Sequence, residues 1–549
     1  MLFENSVSNE NISDERTVLN YNLNILGSIL KTREDKHFYA FRGIAYAKPP
    51  IGDRRFKDPV PIEAWNEILD ATNDVSACLQ PKDIQDTALD DVPHLKITED
   101  CLKLNVYTSS MVGNKSVIVF IHGGGLRYGT GNSLHIQPEY FLNEDIVLVT
   151  FNYRLGPFGF VSSGTKDATG NYGFKDQVLV LKWVRDNIHH FGGNPNSVTL
   201  VGHSAGSMSV TLHMVSPMSK NLFHRIIALS GSTTNQWRVD NVNLTKTLAK
   251  SVQCPYDNGG EMIDCLREKP WEQIIAIAGN WDENYLPDME WNYEIEQDFG
   301  QERFIIENPT VLFEKGEFNR VSVIAGITKD EYKDKGYFIT LNEHFLNNIN
   351  DDFYNLAPQI FGYGISENDK TLSISKRLKE LYFNDKKIGI STETEFGELF
   401  SDALINFGVH RFVQLTSQYI DVYYYRFDYK GRYTCSYYKN GEPGYIHHDD
   451  LLIYLFNYKN CAPKFNQTTP EYIVAKKFIQ YLVNFSRSGD PNVNTMNNNE
   501  LMCSIDWLPS VKNNIKTLYI DENLCKIDVP PYEDRFTIWN ELFPTGVDN

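Results

Sequence analysis

Short apolar runs, each followed by a turn and then by a helical pattern, recur along the chain and predict its secondary structure. The runs are rich in β-branched residues and apolar on both faces, as is typical of strands buried in a parallel sheet. Segment 176–187 (DQVLVLKWVRDN) instead has apolar residues at helical spacing and predicts a helix. The predicted strands are 116–121 (SVIVFI), 146–151 (IVLVTF), 198–201 (VTLV), 226–229 (IIAL) and 321–327 (VSVIAGI).

The alternation of strands with helices predicts an α/β fold, with helices on both sides of the sheet. Two stretches, 233–305 and 335–400, break this alternation, and the first is dense in Trp. We interpret both as helical and loop insertions packed over one edge of the sheet. The chain shows neither a repeat of about 20–50 residues nor a long Gly/Ser or Pro linker, so no internal boundary is marked.

Composition excludes several classes of partner. The 549 residues contain 52 Lys and Arg against 71 Asp and Glu, which gives a net charge of −19. Binding of nucleic acid or anionic lipid needs clustered basic residues, so a broad basic surface for either is not expected. No run approaches the roughly 18 apolar residues of a transmembrane helix. Residues 1–15 predict a polar tail that lacks the basic and apolar regions of a signal peptide, which favours a soluble protein that is not exported.

The segment 202–206 (GHSAG) predicts a nucleophile. A buried strand precedes it and a helical pattern follows, which is the context that a G-x-S-x-G nucleophile elbow requires. Gly is needed on both sides of so tight a turn, because a side chain there would strike the neighbouring strand or helix. The hydroxyl of Ser204 is thereby held exposed at a helix N-terminus, where the helix dipole favours developing negative charge.

A run of three Gly residues in 121–125 (IHGGG) follows another predicted strand. Such a run leaves backbone N–H groups free to face a cavity, and a tetrahedral intermediate needs donors of this kind for its oxyanion. The run has neither the G-K-[ST] of a phosphate-binding P-loop nor the spacing of a dinucleotide fingerprint. We expect Gly124, Gly125 and Ala205 to donate the three bonds.

A general base and its orienting acid must follow the nucleophile, since the order in this fold class is Ser, acid, His. Segment 444–450 (GYIHHDD) offers His447 or His448 as the base. Segment 325–331 (AGITKDE) offers Asp330 or Glu331 as the acid, and only one of these neighbours can point at the imidazole. The residues alone leave both choices open.

Together these segments resemble the type-B carboxylesterase/cholinesterase family of α/β-hydrolases. The GHSAG segment combined with 447–451 (HHDDL) looks most like insect carboxylesterases. Other segments similar to that family's motifs, in order, are 41–52 (FRGIAYAKPPIG) with RF at 55–56, 99–106 (EDCLKLNV), 152–156 (NYRLG), 170–173 (GNYG) and 191–194 (FGGN).

The resemblance implies an α/β-hydrolase fold: one domain at 16–545, with a large, mixed, mostly parallel central sheet and insertions over a deep active-site gorge. It implies Glu331 as the acid and His447 as the base, with His448 pointing away. The family has Gly where this chain has Tyr332. Further residues that the resemblance places around the site are Asp450 and His203, supporting the triad, and Trp237, limiting the acyl group.

The implied activity is serine ester hydrolysis of short to medium carboxylic esters, with no cofactor and no metal. Cholinesterases carry a choline-binding Trp in the segment that corresponds to 79–100, where this chain has none, so choline esters are not expected substrates. Juvenile-hormone esterases usually have Gln where this chain has His203, which argues against that substrate. The alternatives are a non-catalytic adhesion or binding module and a hormone- or lipid-specific esterase; oligomeric state is left open.

The resemblance also implies disulfides from Cys78 to Cys101 and from Cys254 to Cys265. Disulfides indicate an oxidising compartment, so secretion is favoured slightly over the cytoplasm despite the missing leader. Five N-x-[ST] glycosylation sites do not decide between these two compartments, because a chain rich in Asn contains several by chance. The remaining cysteines receive no assignment: Cys435, Cys461, Cys503 and Cys525.

Overall fold

The structure is a computed structural model of the chain. The predicted tail at 1–15 lies outside its described residues, as do His448, Cys503 and Cys525. The described residues are 16–20, 22–74, 76–81, 96–237, 239–279, 291–364, 368–384, 386–435, 446–447, 449–456, 461–492, 506–521 and 526–545.

A large mixed sheet organises the described part of the chain. The described strands are β1 Arg16–Asn20, β2 Ile25–Lys31, β3 His37–Ala45, β4 Leu69–Asp70, β5 Ser76–Ala77, β6 Lys96–Ile97, β7 Lys103–Thr108, β8 Lys115–Ile121, β9 Val147–Phe151, β10 Ser162–Thr165, β11 Ala168–Thr169, β12 Gly193–His203, β13 Arg225–Leu229, β14 Ser322–Thr328, β15 Val422–Phe427, β16 Thr517–Ile520 and β17 Lys526–Asp528. In the large sheet they lie in the order β1-β2-β3-β7-β9-β8-β12-β13-β14-β15-β16-β17, with β4 paired to β2. The pairs β5-β6 and β10-β11 form two small separate sheets.

The middle of the sheet, from β9 to β16, is parallel, and antiparallel strands close it at both ends. All five predicted strands fall on β8, β9, β12, β13 and β14, with the third extended to Gly193–His203. Both faces are buried as the apolar runs indicated: on β8, Val117 and Val119 enter one core cluster, whereas Ile118 and Phe120 enter another. The predicted mixed, mostly parallel α/β fold is therefore confirmed.

Helices cover the sheet and fill the two stretches that broke the alternation. The predicted helix at 176–187 begins one turn earlier, at Tyr172. Among the described residues, none of the helices combines the length and the hydrophobicity that a membrane span requires. The α-helices are α1 Gly156–Phe160, α2 Tyr172–Asn187, α3 Ala205–Val215, α4 Asn241–Ser251, α5 Gly259–Glu268, α6 Trp271–Gly279, α7 Pro309–Lys315, α8 Lys333–Thr340, α9 Glu343–Asp351, α10 Phe353–Ile360, α11 Asp369–Phe383, α12 Glu393–Ser401, α13 Phe407–Thr416, α14 Pro470–Ser488 and α15 Glu533–Leu542.

The carboxyl ends of the parallel strands bring distant parts of the chain together. Ser204 directly follows β12, Ser230 directly follows β13, and Glu331 comes three residues after β14. Because these three strands are parallel neighbours, the segments that leave them meet at one edge of the sheet. Active sites of open α/β sheets lie at this edge.

Candidate active site

Ser204 lies in a sharp turn between β12 and α3. Its backbone has φ 56° and ψ −121°, a conformation that non-Gly residues rarely adopt and that is often found at functional sites. Gly is required on either side: a Cβ at Gly202 would lie 2.1 Å from Gly206 O, and one at Gly206 would lie 2.1 Å from Ile121 O. The turn leaves Ser204 partly exposed, although its neighbours on both sides are buried.

His447 bridges Ser204 and Glu331. Its Nε2 lies 2.7 Å from Ser204 Oγ, and its Nδ1 lies 2.5 Å from Glu331 Oε2. In the tautomer that satisfies both bonds, Nδ1–H donates to the carboxylate and Nε2 accepts from the hydroxyl. The backbone N–H of His447 also donates to Glu331 O at 2.9 Å. Ser204, His447 and Glu331 are thus linked in the hydrogen-bonding order that the nucleophile, base and acid of a serine hydrolase require.

Glu331 is the acid that faces the imidazole, whereas the carboxylate of Asp330 lies 3.5 Å from Lys333 Nζ. Glu331 Oε1 accepts hydrogen bonds from Ser230 Oγ and Thr328 N, both at 2.7 Å. Burial raises the pKa of Glu331 to about 7, and these two bonds act in the opposite direction because they stabilise the carboxylate. The sequence did not single out Ser230, because nothing in its local pattern marks it.

The three-Gly loop passes directly beside the nucleophile. A Cβ at Gly123 would lie 3.0 Å from the Cβ of Ser204. Gly124 and Gly125 have φ 102° and φ 59°, and a Cβ at Gly124 would lie 2.1 Å from Tyr128 O. Within the described residues no protein acceptor takes the backbone N–H of Gly124, Gly125 or Ala205. These donors therefore stay available at the edge of the site.

Two aromatic rings contact the imidazole of His447. The His203 ring lies 4.8 Å from it, and His203 Nε2 is 2.7 Å from His447 O. The Tyr332 ring is stacked on it, with centroids 4.7 Å apart and planes at 30°. The position of His203 agrees with a supporting role, while the contact of Tyr332 was not foreseen from the sequence.

Two buried carboxyl groups follow the base. Asp450 accepts a bond from Tyr425 Oη at 2.9 Å. Asp449 accepts from Thr434 Oγ1, Cys435 N and Ile446 N at 3.1–3.2 Å, and burial raises its pKa to about 8. Asp449 thus connects residues 434–435 with residue 446. This role could not be predicted from the sequence, because nothing there distinguishes Asp449 from the adjacent Asp450.

Trp237 is buried and packs against Gly362, where a Cβ would lie 2.3 Å from Trp237 Cε3. Its neighbour Gln236 donates to Phe361 O and Ala403 O at 3.0 and 2.7 Å. The segment that follows β13 and Ser230 therefore contacts the helices of the second insertion, at 335–400, and the residues that directly follow it. The role of Trp237 in limiting the acyl group stays a prediction.

Three disulfides join the described cysteines. Cys78 pairs with Cys101 and Cys254 pairs with Cys265, as the resemblance implied. The third, Cys435–Cys461, spans 26 residues and encloses His447. The sequence left both of these cysteines unassigned, because spacing alone does not decide a pairing.

Fold and site together define the class: the sheet and helices of an α/β-hydrolase, with Ser204 in a sharp turn between strand and helix and a His–Glu pair beside it. The sequence matches the carboxylesterase family over residues 16–539. The chain belongs to the carboxylesterase family, and it is a carboxylic ester hydrolase.

Similar proteins include insect esterases. Esterase E4 of Myzus persicae is 35% identical over 518 residues, covering 89% of this chain and 88% of that protein. Juvenile hormone esterase of Tribolium castaneum is 33% identical over 494 residues, covering 85% and 82%. The crystal structure of juvenile hormone esterase from Manduca sexta, with OTFP covalently attached, has a TM-score of 0.84 at 24% identity. It covers 96% of this chain and 100% of that one, and shares the fold.

Proposed function

We propose that the chain hydrolyses short to medium carboxylic esters through Ser204, His447 and Glu331, with an acyl-enzyme intermediate. The observation that carries the proposal is the pair of bonds at His447, 2.7 Å to Ser204 Oγ and 2.5 Å to Glu331 Oε2. Both ring nitrogens are engaged in the sense that proton transfer from serine requires.

The reaction proceeds in two halves. His447 Nε2 takes the proton of Ser204 as Oγ attacks the ester carbonyl, and it returns the proton to the leaving alcohol as the C–O bond breaks. Water then attacks the acyl-enzyme, His447 takes its proton, and the acid is released as Oγ is protonated again. Glu331 holds the imidazole in the required tautomer and stabilises the imidazolium in both halves.

The oxyanion of each tetrahedral intermediate accepts bonds from Gly124, Gly125 and Ala205. Their N–H groups have no acceptor in the described part of the chain, and the loop lies against Ser204. Removing one such donor typically costs about 3–4 kcal/mol of barrier. We also propose that residues 16–545 act as one hydrolase domain and that Trp237 limits the size of the acyl group. Asp450, through its bond with Tyr425, supports the loop that carries His447, called the base loop below.

A second Ser–His pair in the structure lacks the other features of the proposed catalytic site. His213 Nδ1 lies 2.6 Å from Ser219 Oγ, and its Nε2 lies 2.9 Å from Gln177 Oε1. All three side chains are fully buried, the acid is replaced by an amide, and Ser219 is on no elbow. We therefore expect no catalysis from this pair, and Ser219 supplies a matched control.

The test is hydrolysis of p-nitrophenyl esters by the full chain, with acyl groups from acetate to caprylate. We expect a burst of p-nitrophenol, turnover, and organophosphate labelling of Ser204. Ser204→Ala should abolish all three, whereas Ser219→Ala should keep them. Folded wild-type protein that gives neither burst nor labelling would contradict the proposal and favour the alternative, a non-catalytic binding module. A rate that rises steeply with acyl length would favour a lipid-specific esterase.

A further inference from the structure

The residue after the acid, Tyr332, contacts the base from outside the triad. Its ring and the His447 imidazole stack with centroids 4.7 Å apart and planes at 30°. Stacking of this kind restricts rotation of the imidazole about its Cβ–Cγ bond and shields the contacted face from water. The hydrogen bonds of His447 fix where its two nitrogens point, while Tyr332 limits how the ring can tilt.

The backbone around Tyr332 shows why a large side chain is accepted here. Its φ of −110° and ψ of 28° are available to any L-residue, so Gly is not required. Its N–H donates to Ser401 Oγ at 2.9 Å, and Ser401 Oγ donates to Gly397 O at 2.8 Å. Tyr332 is therefore anchored to the end of α12.

Close packing of α8 on α12 fixes the direction from which Tyr332 approaches. A Cβ at Gly336 would lie 2.4 Å from Gly397 N, and one at Gly397 would lie 2.6 Å from Lys333 Cα. Two glycines thus let the backbones of the helices touch. Because α8 begins directly after Tyr332, this contact leaves the tyrosine little freedom to move away from the base.

We infer that Tyr332 is a positioning residue for His447: it holds the imidazole between Ser204 and Glu331 during proton transfer. The inference rests on the proposed esterase function. We assign Tyr332 no electrostatic role, because Lys335 Nζ already lies 5.1 Å from the centroid of the same tyrosine ring. Placement of the base is then the main effect, and it applies equally to both halves of the reaction.

The test compares Tyr332→Phe, Tyr332→Leu and Tyr332→Gly with wild type on p-nitrophenyl acetate. Leu and Gly remove the ring, and kcat should fall about three- to tenfold, the worth of an aromatic pair. KM should change less than twofold, and the burst and steady-state rates should fall by the same factor, since one base serves both. Phe keeps the ring and should stay within twofold of wild type. Should Tyr332→Leu fail to fold, Tyr332→Gly carries the same test.

Tyr337→Leu is the matched control, because Tyr337 lies on α8 and its ring contacts Phe338. It should leave kcat unchanged. A kcat of Tyr332→Leu within twofold of wild type, or a loss in Tyr332→Phe as large as in Tyr332→Leu, would overturn the inference. Failure of the proposed function would look different, since wild type itself would then show no turnover that depends on Ser204.

Discussion

His203 Nε2 lies 2.7 Å from the carbonyl oxygen of His447, although the two residues are 244 positions apart. A carbonyl can only accept, so His203 carries its proton on Nε2. The residue before the nucleophile thus holds the backbone of the base, and the bond is buried. The elbow and the base loop are tied together by one side chain.

This relationship predicts that position 203 controls kcat more than KM. His203→Leu leaves a buried carbonyl without its donor, and we expect kcat to fall about tenfold, since such a loss costs about 1–3 kcal/mol. His203→Gln retains a donor and should fall less. Steady-state kinetics on p-nitrophenyl acetate, with thermal unfolding to check folding, decides the matter. Equal activity of the Leu and Gln variants would show that the bond has no role.

The raised pKa of Glu331 predicts how activity depends on pH. Catalysis needs the carboxylate, so kcat/KM should decline as pH falls through about 7, where Glu331 takes up a proton. Ser230→Ala removes a bond that stabilises the carboxylate, so the acid limb should move to higher pH. Ser232→Ala removes a hydroxyl bonded to Thr234 and should leave the profile unchanged. An acid limb in Ser230→Ala that coincides with wild type would contradict the role given to Ser230.

Stability should show the opposite dependence on pH. The pKa of Glu331 is raised on folding from 4.5 to about 7, so the folded state holds a proton that the unfolded state releases. Its contribution to the free energy of unfolding is fully present below pH 4.5 and is lost as pH rises to about 7. Glu331→Gln cannot titrate, so its difference from wild type in urea unfolding should vary across this window. A constant difference would mean that the pKa is not raised.

The sequence predicted the parts of the site that follow from local pattern. Strand, turn and helix around Ser204 follow from an apolar run and two glycines, and the three-Gly loop is equally local. The local pattern narrowed the acid only to Asp330 or Glu331, because the orientation of these two carboxylates depends on β15 and on the loop that carries His447, and the choice of Glu331 came from the family resemblance. Ser230 and Tyr332 were missed for the same reason: each acts through a contact across more than 100 residues.

The disulfide Cys435–Cys461 is predicted to stabilise the active geometry of the base. It encloses His447, and Asp449 bonds to Cys435 N and Ile446 N within the same loop. Replacing both cysteines by Ser should lower the melting temperature and also kcat. In the matched double variant, Cys254, which precedes α5, and Cys265, which lies on α5, are both replaced by Ser. This variant should lower the melting temperature without lowering kcat. Full kcat in the Cys435→Ser/Cys461→Ser protein would show that Asp449 and the triad hold the loop unaided.

The buried ion pair between Arg154 and Asp176 is predicted to be a large contribution to stability. Arg154 Nη2 and Nε donate to the two carboxylate oxygens at 2.7 and 2.8 Å, and its backbone N–H donates to one of them at 3.0 Å. Both side chains are fully buried, so Asp176→Ala leaves an unpaired guanidinium in the core. We expect the free energy of unfolding to fall by about 3–5 kcal/mol.

The pair Arg185–Asp186 supplies the comparison, because its side chains are 51% and 56% exposed and its ion pair has a similar length of 2.7 Å. Exposed pairs are worth about 0–1 kcal/mol, so Asp186→Ala should shift the urea midpoint little.

The Arg154–Asp176 pair is linked to the active site only indirectly. Tyr153, the residue before Arg154, donates a hydrogen bond to His122 O at 2.9 Å, and His122 directly precedes the three-Gly loop. Asp176→Ala should therefore lose activity at a lower urea concentration than wild type while keeping near-normal kcat in its absence. A midpoint as little changed as that of Asp186→Ala would show that the core accommodates the unpaired charge.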